Sequence, residues 1–317
     1  MMSDMKSEGT PHYRNSIAAE ANLREDFDCR HNSGGVIYYK EYARLPGCRY
    51  GYTANHIRRQ TMLKDPVKTK NEIVEWIRNY MAENGPDCSI VVGVSGGKDS
   101  SVTAAICAEA MGTDRVIGVL MPNGVQSDIS DSEQLVKHIG INYVTVNIKD
   151  GYDGMTNAIN EALASGAVPG TEKLSRDSEI NLPPRLRMST LYAIAQALPN
   201  GGRVVNTCNR SEDYIGYSTK FGDAAGDFSP LANLLVHEVI QIGEVLGLPE
   251  NLIKKTPSDG LSGMSDEDKI GFTYAVLDHY VLTGECEDEA IKAKIDRMHR
   301  LNLHKLQLMP SFKPAEQ

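Results

Sequence analysis

The stretch VVGVSGGKDSS, at positions 91–101, joins an apolar run to a glycine-rich loop and decides how the chain is interpreted. A Walker A nucleotide-binding loop has four residues between its glycines and then Lys-Ser or Lys-Thr. Here three residues separate Gly93 from Gly97, and Asp99 follows Lys98. The stretch is therefore either a failed P-loop or a loop for different phosphate chemistry.

The residue types of this loop favour an anion site. Gly96 and Gly97 can adopt backbone angles that bring successive N–H groups together around an anion, at a predicted helix N-terminus. The hydroxyls of Ser95 and Ser100 can donate hydrogen bonds to phosphate oxygens, whereas Asp99 needs a divalent cation between itself and a phosphate. The competing interpretation is a glycine-rich turn in which Asp99 only caps the helix.

Apolar runs and helical patterns alternate on both sides of the loop. We predict strands at 89–94, 115–121, 142–148 and 202–207, and helices at 67–81, 101–111, 130–140 and 185–198. After position 230 the patterns are mostly helical, at 234–248, 266–282 and 287–302. The alternation predicts an α/β fold, an open parallel sheet with helices on both faces that binds ligands at the carboxyl ends of its strands.

Composition limits the function classes. The 317 residues, 41% of them hydrophobic, are typical of a globular protein, and a formal charge of −9 argues against nonspecific nucleic-acid binding. The six cysteines form no CxxC pair, so we expect free thiols. The N-terminus has no signal-like apolar core and no run of 18 apolar residues occurs, which predicts a cytoplasmic protein without a membrane partner. Residues 1–64 are weakly patterned and are interpreted as an extension of unknown role, and 65–317 as the main domain.

The loop SGGKDS resembles the PP-loop, SGGxDS, of the ATP pyrophosphatases, which attach AMP to a substrate and release pyrophosphate. The resemblance implies the adenine nucleotide alpha hydrolase-like architecture of that family. It also implies that the loop grips the pyrophosphate leaving group and not a transferred terminal phosphate.

Further stretches resemble the ammonia-dependent NAD synthetases within that family. They are MPNGVQSD (121–128), PPRLRM (183–188), NTCNRSEDYIGYSTKFGDAAGDFSPL (206–231), KKTPSDGL (254–261), SDEDKIGFTY (265–274) and HKLQLMPSF (304–312). The resemblance implies amidation of nicotinic acid adenine dinucleotide (deamido-NAD) to NAD by ammonia. The carboxylate attacks the α-phosphate of ATP, and ammonia then displaces AMP from the adenylated intermediate.

The resemblance also implies roles for individual residues. Asp99 and Glu212 match magnesium ligands, and Asp99, Lys220 and Asp223 match catalytic positions, with Asp223 placed to position or deprotonate ammonium. The positions that match ATP contacts are Gly93, Val94, Ser95, Gly96, Gly97, Lys98, Asp99, Ser100, Thr207 and Ser258. The positions that match deamido-NAD contacts are Arg185, Lys220, Asp227, His304 and Lys305. Each also has an ordinary interpretation as a solvated surface or turn residue when it is taken alone.

The match departs from the family pattern at three places. The family has a Lys that touches ATP phosphates where this chain has Val236, and a Gly where it has Asn206. The loop at 224–226 reads Ala-Ala-Gly where Gly-Gly-Thr or Gly-Ala-Val is usual. The missing cation would weaken phosphate neutralisation unless Lys98, His237 or Lys255 replaces it.

The resemblance also implies a homodimer and ammonia that is free or supplied by a separate subunit. Because water must be kept off the adenylated intermediate, we expect a mobile loop to close over it, and the segment 260–266 and the C-terminal tail are the candidates. Two alternatives stay open. One is another PP-loop amidase or thiolase such as a tRNA sulfur-transfer enzyme, and the other is a nucleotide-binding sensor without turnover.

Overall fold

A computed structural model describes residues 62–255 and 265–314. Within this part of the chain, four parallel strands form one sheet in the order β3-β2-β1-β4. The strands are β1 (Ser89–Gly93), β2 (Val116–Leu120), β3 (Asn142–Thr145) and β4 (Gly202–Val204). The α/β class and all four predicted strands are confirmed, although β3 and β4 end three residues earlier than predicted.

The sheet has an apolar layer on each face because its strands alternate. Ile90 and Val92 of β1 pack on one face, where most of the buried core lies, against helices α1 (Pro66–Asn84), α2 (Lys98–Met111) and α7 (Val236–Val245). Val91 points to the other face and packs with Val204 and Ala195, which belongs to helix α5 (Arg176–Ala197). The expected helices on both faces are thus present.

The longer helices are α1 (Pro66–Asn84), α2 (Lys98–Met111), α3 (Ile129–Ile139), α4 (Lys149–Ala164), α5 (Arg176–Ala197), α7 (Val236–Val245), α10 (Tyr274–Thr283) and α11 (Glu289–Asn302). The short ones are α6 (Arg210–Ile215), α8 (Glu250–Ile253) and α9 (Asp266–Ile270), with 3-10 turns at Thr113–Arg115 and Leu303–Lys305. Residues of α6, α7, α10 and α11 share a further apolar cluster. Among the described residues no helix is long and apolar enough to cross a membrane.

Three helix predictions need correction. The predicted helix 266–282 is two helices, because Gly271 ends α9 at φ 77° and Thr273 begins α10 by accepting a hydrogen bond from Val276 N. Helix α5 begins at Arg176, nine residues before the predicted start, and continues through Pro183 and Pro184. Helix α4 was not predicted.

The sheet order places a crevice beside the loop that follows β1. The chain leaves β1 toward β2, whereas β4 pairs with the opposite edge of β1. The carboxyl ends of β1 and β4 therefore lie side by side at the point where strand order reverses, which is where open α/β sheets bind ligands.

Candidate functional site

The loop after β1 leaves the N-terminus of α2 open. Val94 N donates to Val119 O at 2.9 Å, so the loop departs directly from the sheet. Gly97 is the N-cap of α2 and provides no side-chain cap, and Gly96 has a φ of 78°. The hydroxyls of Ser95 and Ser100 lie 3.0 Å apart. Helix amides, their dipole and two hydroxyls thus meet at one place, as an anion site requires.

The side chains that follow the loop form a charged cluster with α6. Asp99 is accompanied by Lys98, whose Nζ lies 2.8 Å from Asp99 Oδ2 and 3.7 Å from Glu212 Oε1. Asn209 Nδ2 donates to the other Asp99 oxygen, Oδ1, at 2.9 Å. Asn209 Oδ1 accepts from Glu212 N and so caps α6. The two predicted metal ligands are therefore held together by Lys98 and Asn209.

Electrostatic repulsion is strong in this cluster. Burial and the nearby Asp99 raise the pKa of Glu212 to about 8, against the opposing effect of Lys98. Burial alone would lower the pKa of Lys98, but Asp99 and Glu212 outweigh it and raise that pKa. Burial, with a contribution from Asp223, also raises the pKa of Asp213 to about 7. The site holds more negative charge than its lysine compensates, which suits a divalent cation held by two carboxylates and phosphate oxygens.

Most of the predicted acceptor residues form a second cluster. Arg185 Nε donates to Lys220 O at 3.3 Å, and Lys220 Nζ donates to His304 O at 2.8 Å. Lys305 Nζ donates to Gly216 O and Ser218 O, at 2.6 and 2.7 Å. Helix α5, the segment 216–223 and the C-terminal 3-10 turn are thereby joined.

Asp223 lies in the same segment. Its Oδ1 accepts from Thr219 N at 2.9 Å, and its electrostatic interaction with Lys305 is favourable. Surrounding protein raises the pKa of the Asp223 carboxyl through partial loss of water, although the residue keeps an exposed side. A carboxylate whose pKa is raised is a better proton acceptor.

Asp227 and Thr207 lie near the end of β4. Asp227 Oδ2 accepts from Val204 N at 2.7 Å and Oδ1 accepts from Tyr192 OH at 3.2 Å, so this carboxylate stabilises the edge strand. Thr207 follows β4 and is half-buried. The predicted ATP contact Ser258, and most of the predicted closing segment 260–266, lie outside the described residues.

Two of the departures from the family pattern, Asn206 and Val236, have different local consequences. Asn206 Nδ2 donates to Asp223 O and Ala225 O, at 2.8 and 3.2 Å, and so ties the 223–225 segment to the end of β4. Val236 is 5% exposed and lies in the apolar cluster of the C-terminal helices. Lys255 pairs with Asp128 and Asp131 at 2.7 and 2.6 Å.

Sequence reasoning missed four residues of these clusters. Asn209 had a readable signal, since an Asn three residues before a Glu is a helix N-cap pattern. Arg187, whose Nε donates to Met121 O at 3.0 Å, lies in the family-like stretch PPRLRM. The buried Tyr274, whose ring centroid lies 5.6 Å from Lys98 Nζ, ends the family-like stretch SDEDKIGFTY, so both residues had a readable signal that was not assigned to the site. Phe221 is 59% exposed and has a φ of 61°, which is a strained conformation for a bulky residue. No sequence pattern predicted this conformation.

Comparisons with known proteins agree with this architecture. The NAD synthase family model matches residues 69–316. An NH(3)-dependent NAD(+) synthetase of Carboxydothermus hydrogenoformans is 37% identical over 236 residues, 74% of this chain and 92% of that protein. One from Finegoldia magna is 35% identical over 248 residues, 78% of this chain and 96% of that protein.

Solved structures give the same result. The structure of NMN synthetase from Francisella tularensis superposes with a TM-score of 0.69 at 30% identity and covers 79% of this chain and 99% of its own. NH3-dependent NAD synthetase from Campylobacter jejuni has a TM-score of 0.62 at 24% identity, covers 79% of this chain and 100% of its own, and shares the PP-loop fold. By sequence and by fold, this chain belongs to the NAD synthase family.

Proposed function

We propose residue roles for the reaction that this chain catalyses as a carbon–nitrogen ligase, the ATP-dependent amidation of deamido-NAD to NAD by ammonia. The observation that carries the assignment is that two clusters adjoin each other, since Asp213, next to Glu212, interacts electrostatically with Asp223. One combines the open N-terminus of α2 with Asp99 and Glu212. The other combines cationic side chains with Asp223.

At the first cluster the loop binds the phosphates of ATP. The amides of Gly96 and Gly97 and the hydroxyls of Ser95 and Ser100 stabilise charge on the departing pyrophosphate. Gly93, Val94, Lys98 and Thr207 complete the described part of the ATP site, and Ser258 is assigned to it by family resemblance alone.

Asp99 and Glu212 hold Mg²⁺. Two hard carboxylates beside a phosphate site are the protein ligands this ion prefers, and the excess negative charge at the pair supports the fit. When bound, the ion neutralises phosphate charge and so assists departure of pyrophosphate. Asn209 fixes the carboxylate of Asp99 for this role.

At the second cluster Arg185, Lys220, His304 and Lys305 bind the anionic acceptor, and Asp223 takes a proton from ammonium so that neutral ammonia attacks the adenylated carboxyl. The support is the joint placement of these residues and the raised pKa of Asp223. Asp227 is assigned to acceptor binding by family resemblance, and its carboxylate also accepts hydrogen bonds from Tyr192 OH and Val204 N.

The protein acts as a homodimer through α4 and α5. Helix α4 has no buried residue, and Pro183 and Ala195 are the buried residues of the 22-residue α5. Met155 on α4 and Ile180 on α5 are 47% and 53% exposed, which fits an interface. A single 34.8-kDa species by light scattering at micromolar concentration would contradict this.

We place the protein in the cytoplasm, without a nucleic-acid or membrane partner.

A specific observation favours a second acceptor. Since the Francisella tularensis structure is named as an NMN synthetase, nicotinic acid mononucleotide is a candidate substrate of the same site. The two acceptors share the nicotinate carboxylate and differ in the adenylyl half.

The deciding experiment measures pyrophosphate release and amide product with ATP and Mg²⁺. Both acceptors are compared, each with ammonium or glutamine as nitrogen donor. NAD formed from deamido-NAD with ammonium alone establishes the main assignment, and activity only in the presence of an added glutaminase subunit establishes supplied ammonia. Faster turnover of nicotinic acid mononucleotide than of deamido-NAD would show that the mononucleotide is the preferred acceptor. Nucleotide binding without pyrophosphate from any acceptor would support the sensor alternative.

A further inference from the structure

Lys98, the first residue of α2, is placed unusually for a lysine. It is 4% exposed, and its ammonium lies 2.8 Å from Asp99 and 3.7 Å from Glu212. The ring centroid of Tyr274 lies 5.6 Å from the same nitrogen. Lysine is almost never buried unless its charge is paired, so this position is a cation site built from two carboxylates and an aromatic ring.

No other described lysine or arginine forms an ion pair with either carboxylate. Val236, buried in the apolar cluster that also contains Tyr274, adds no charge on that side. Asp266 adds further negative charge nearby. Lys98 is therefore the cation among the described residues that offsets the repulsion between Asp99 and Glu212.

The same two carboxylates are the proposed magnesium ligands. The Lys98 ammonium, within hydrogen-bonding distance of Asp99, occupies space that a divalent ion would need. It also neutralises part of the carboxylate charge that would attract the ion. ATP changes this balance because its phosphates bring negative charge to the adjacent helix N-terminus, where a flexible lysine side chain can pair with them.

We propose that Lys98 is a positioning residue that holds the Asp99–Glu212 pair in the metal-free protein, competes with free divalent ions for it, and so makes metal binding dependent on nucleotide. The inference rests on the proposed role of this carboxylate pair.

The test uses Lys98→Met, which keeps the chain length and helix propensity while removing the charge. Binding of free Mn²⁺ is titrated by electron paramagnetic resonance, first without nucleotide and then with a non-hydrolysable ATP analogue. Without nucleotide, Lys98→Met is expected to bind Mn²⁺ about tenfold more tightly than wild type, since changes beside a metal ligand shift affinity by about 10–100-fold. With the ATP analogue bound, Lys98→Met should bind Mn²⁺ no more tightly than wild type, or more weakly. Equal or weaker Mn²⁺ binding by Lys98→Met without nucleotide would overturn the proposal.

Two further variants identify the source of the effect. Lys70→Met removes a lysine that pairs with Glu109 outside the site, and it should bind Mn²⁺ as wild type does. Lys98→Met combined with Asp99→Asn should lose the gain, and tight binding by this double variant would show that the metal lies elsewhere. Lys98→Gln repeats the measurement with a polar side chain if the Met variant does not fold. Turnover of the wild type is independent of these titrations, so failure here is separable from failure of the proposed reaction.

Discussion

Replacing Gly96 by alanine tests whether the loop depends on close backbone approach. Gly96 has a φ of 78°, and a Cβ there would lie 2.8 Å from both Asp131 Cβ and Ser132 N, in the first turn of α3. Gly140, at the other end of α3, has a φ of 72° and nothing within 4 Å of a Cβ. The two glycines thus share a positive φ and differ in their surroundings.

The two substitutions should separate strain from steric clash. A left-handed alanine costs about 1–2 kcal/mol at either position. At Gly96 the clash adds about 1–3 kcal/mol, because backbone atoms of α3 cannot rotate away as a side chain can. In a domain of this size 1 kcal/mol corresponds to about 2–4 °C in Tm. Gly96→Ala should therefore melt at least about 2 °C below Gly140→Ala.

The functional readout is nucleotide affinity. A displaced loop should weaken ATP binding about tenfold or more, equivalent to a loss of about 1.4 kcal/mol, whereas Gly140→Ala should bind ATP as wild type does. Thermal melts and calorimetric titration of both variants provide the comparison. Equal melting temperatures, or ATP affinity unchanged in Gly96→Ala, would refute the argument that contact with α3 shapes the loop.

Other substitutions test the individual roles. Asp99→Asn and Glu212→Gln should each abolish most Mg²⁺-dependent turnover while the circular dichroism spectrum stays native, and wild-type rates in both would remove the metal assignment. Asp223→Asn should lower the rate with ammonium about 100-fold at unchanged ATP affinity, as loss of a proton acceptor does, and a rate within twofold of wild type would exclude that role. Deleting residues 1–60 should leave a folded protein with activity, because the family match begins at residue 69; insoluble protein would show that the proposed domain boundary at 64 is misplaced.

Sequence patterns predicted the sheet better than the helices around it. The run at 89–94 is continuous and apolar because β1 lies in the centre of the sheet, and burial on both faces removes polar positions. Helix α4 carries a weaker signal. Its Tyr152, Met155, Ile159 and Leu163 recur at helical spacing, but Gly151 and Gly154 lower its helix propensity and none of its residues is buried.

Local signals were misleading at two helix boundaries. Pro183 and Pro184 predict a break, yet α5 continues through them. Pro184 packs close to Gly222, where an added Cβ would lie 2.9 Å from Pro184 Cβ, so tertiary contact accompanies the unfavourable residue. Conversely, Gly271 is a typical helix C-cap and Thr273 a typical N-cap inside the range 266–282. Both were overlooked because the apolar pattern continues across them.

The sequence supported hypotheses about the residues of the candidate site but gave no information on their contacts. Family resemblance indicated Asp99, Glu212 and the acceptor residues, whose roles stay predictions. The burial of Lys98 between carboxylates depends on side-chain packing that one sequence does not encode locally. The same holds for Arg187, whose role is set by the carbonyl of Met121 66 positions away.

The hydrogen bonds that join the C-terminal turn to the segment 216–220 also determine the order in which the protein becomes competent during synthesis. Lys220 reaches His304 across 84 positions, and Lys305 reaches Gly216 across 89. The phosphate loop, by contrast, is complete early in the chain. A nascent or truncated chain that ends before residue 303 can thus form the nucleotide-binding cluster, but its acceptor cluster lacks the hydrogen bonds that the C-terminal turn supplies. Such a chain would bind ATP without hydrolysing it, because adenylation of the acceptor carboxylate requires the C-terminal residues.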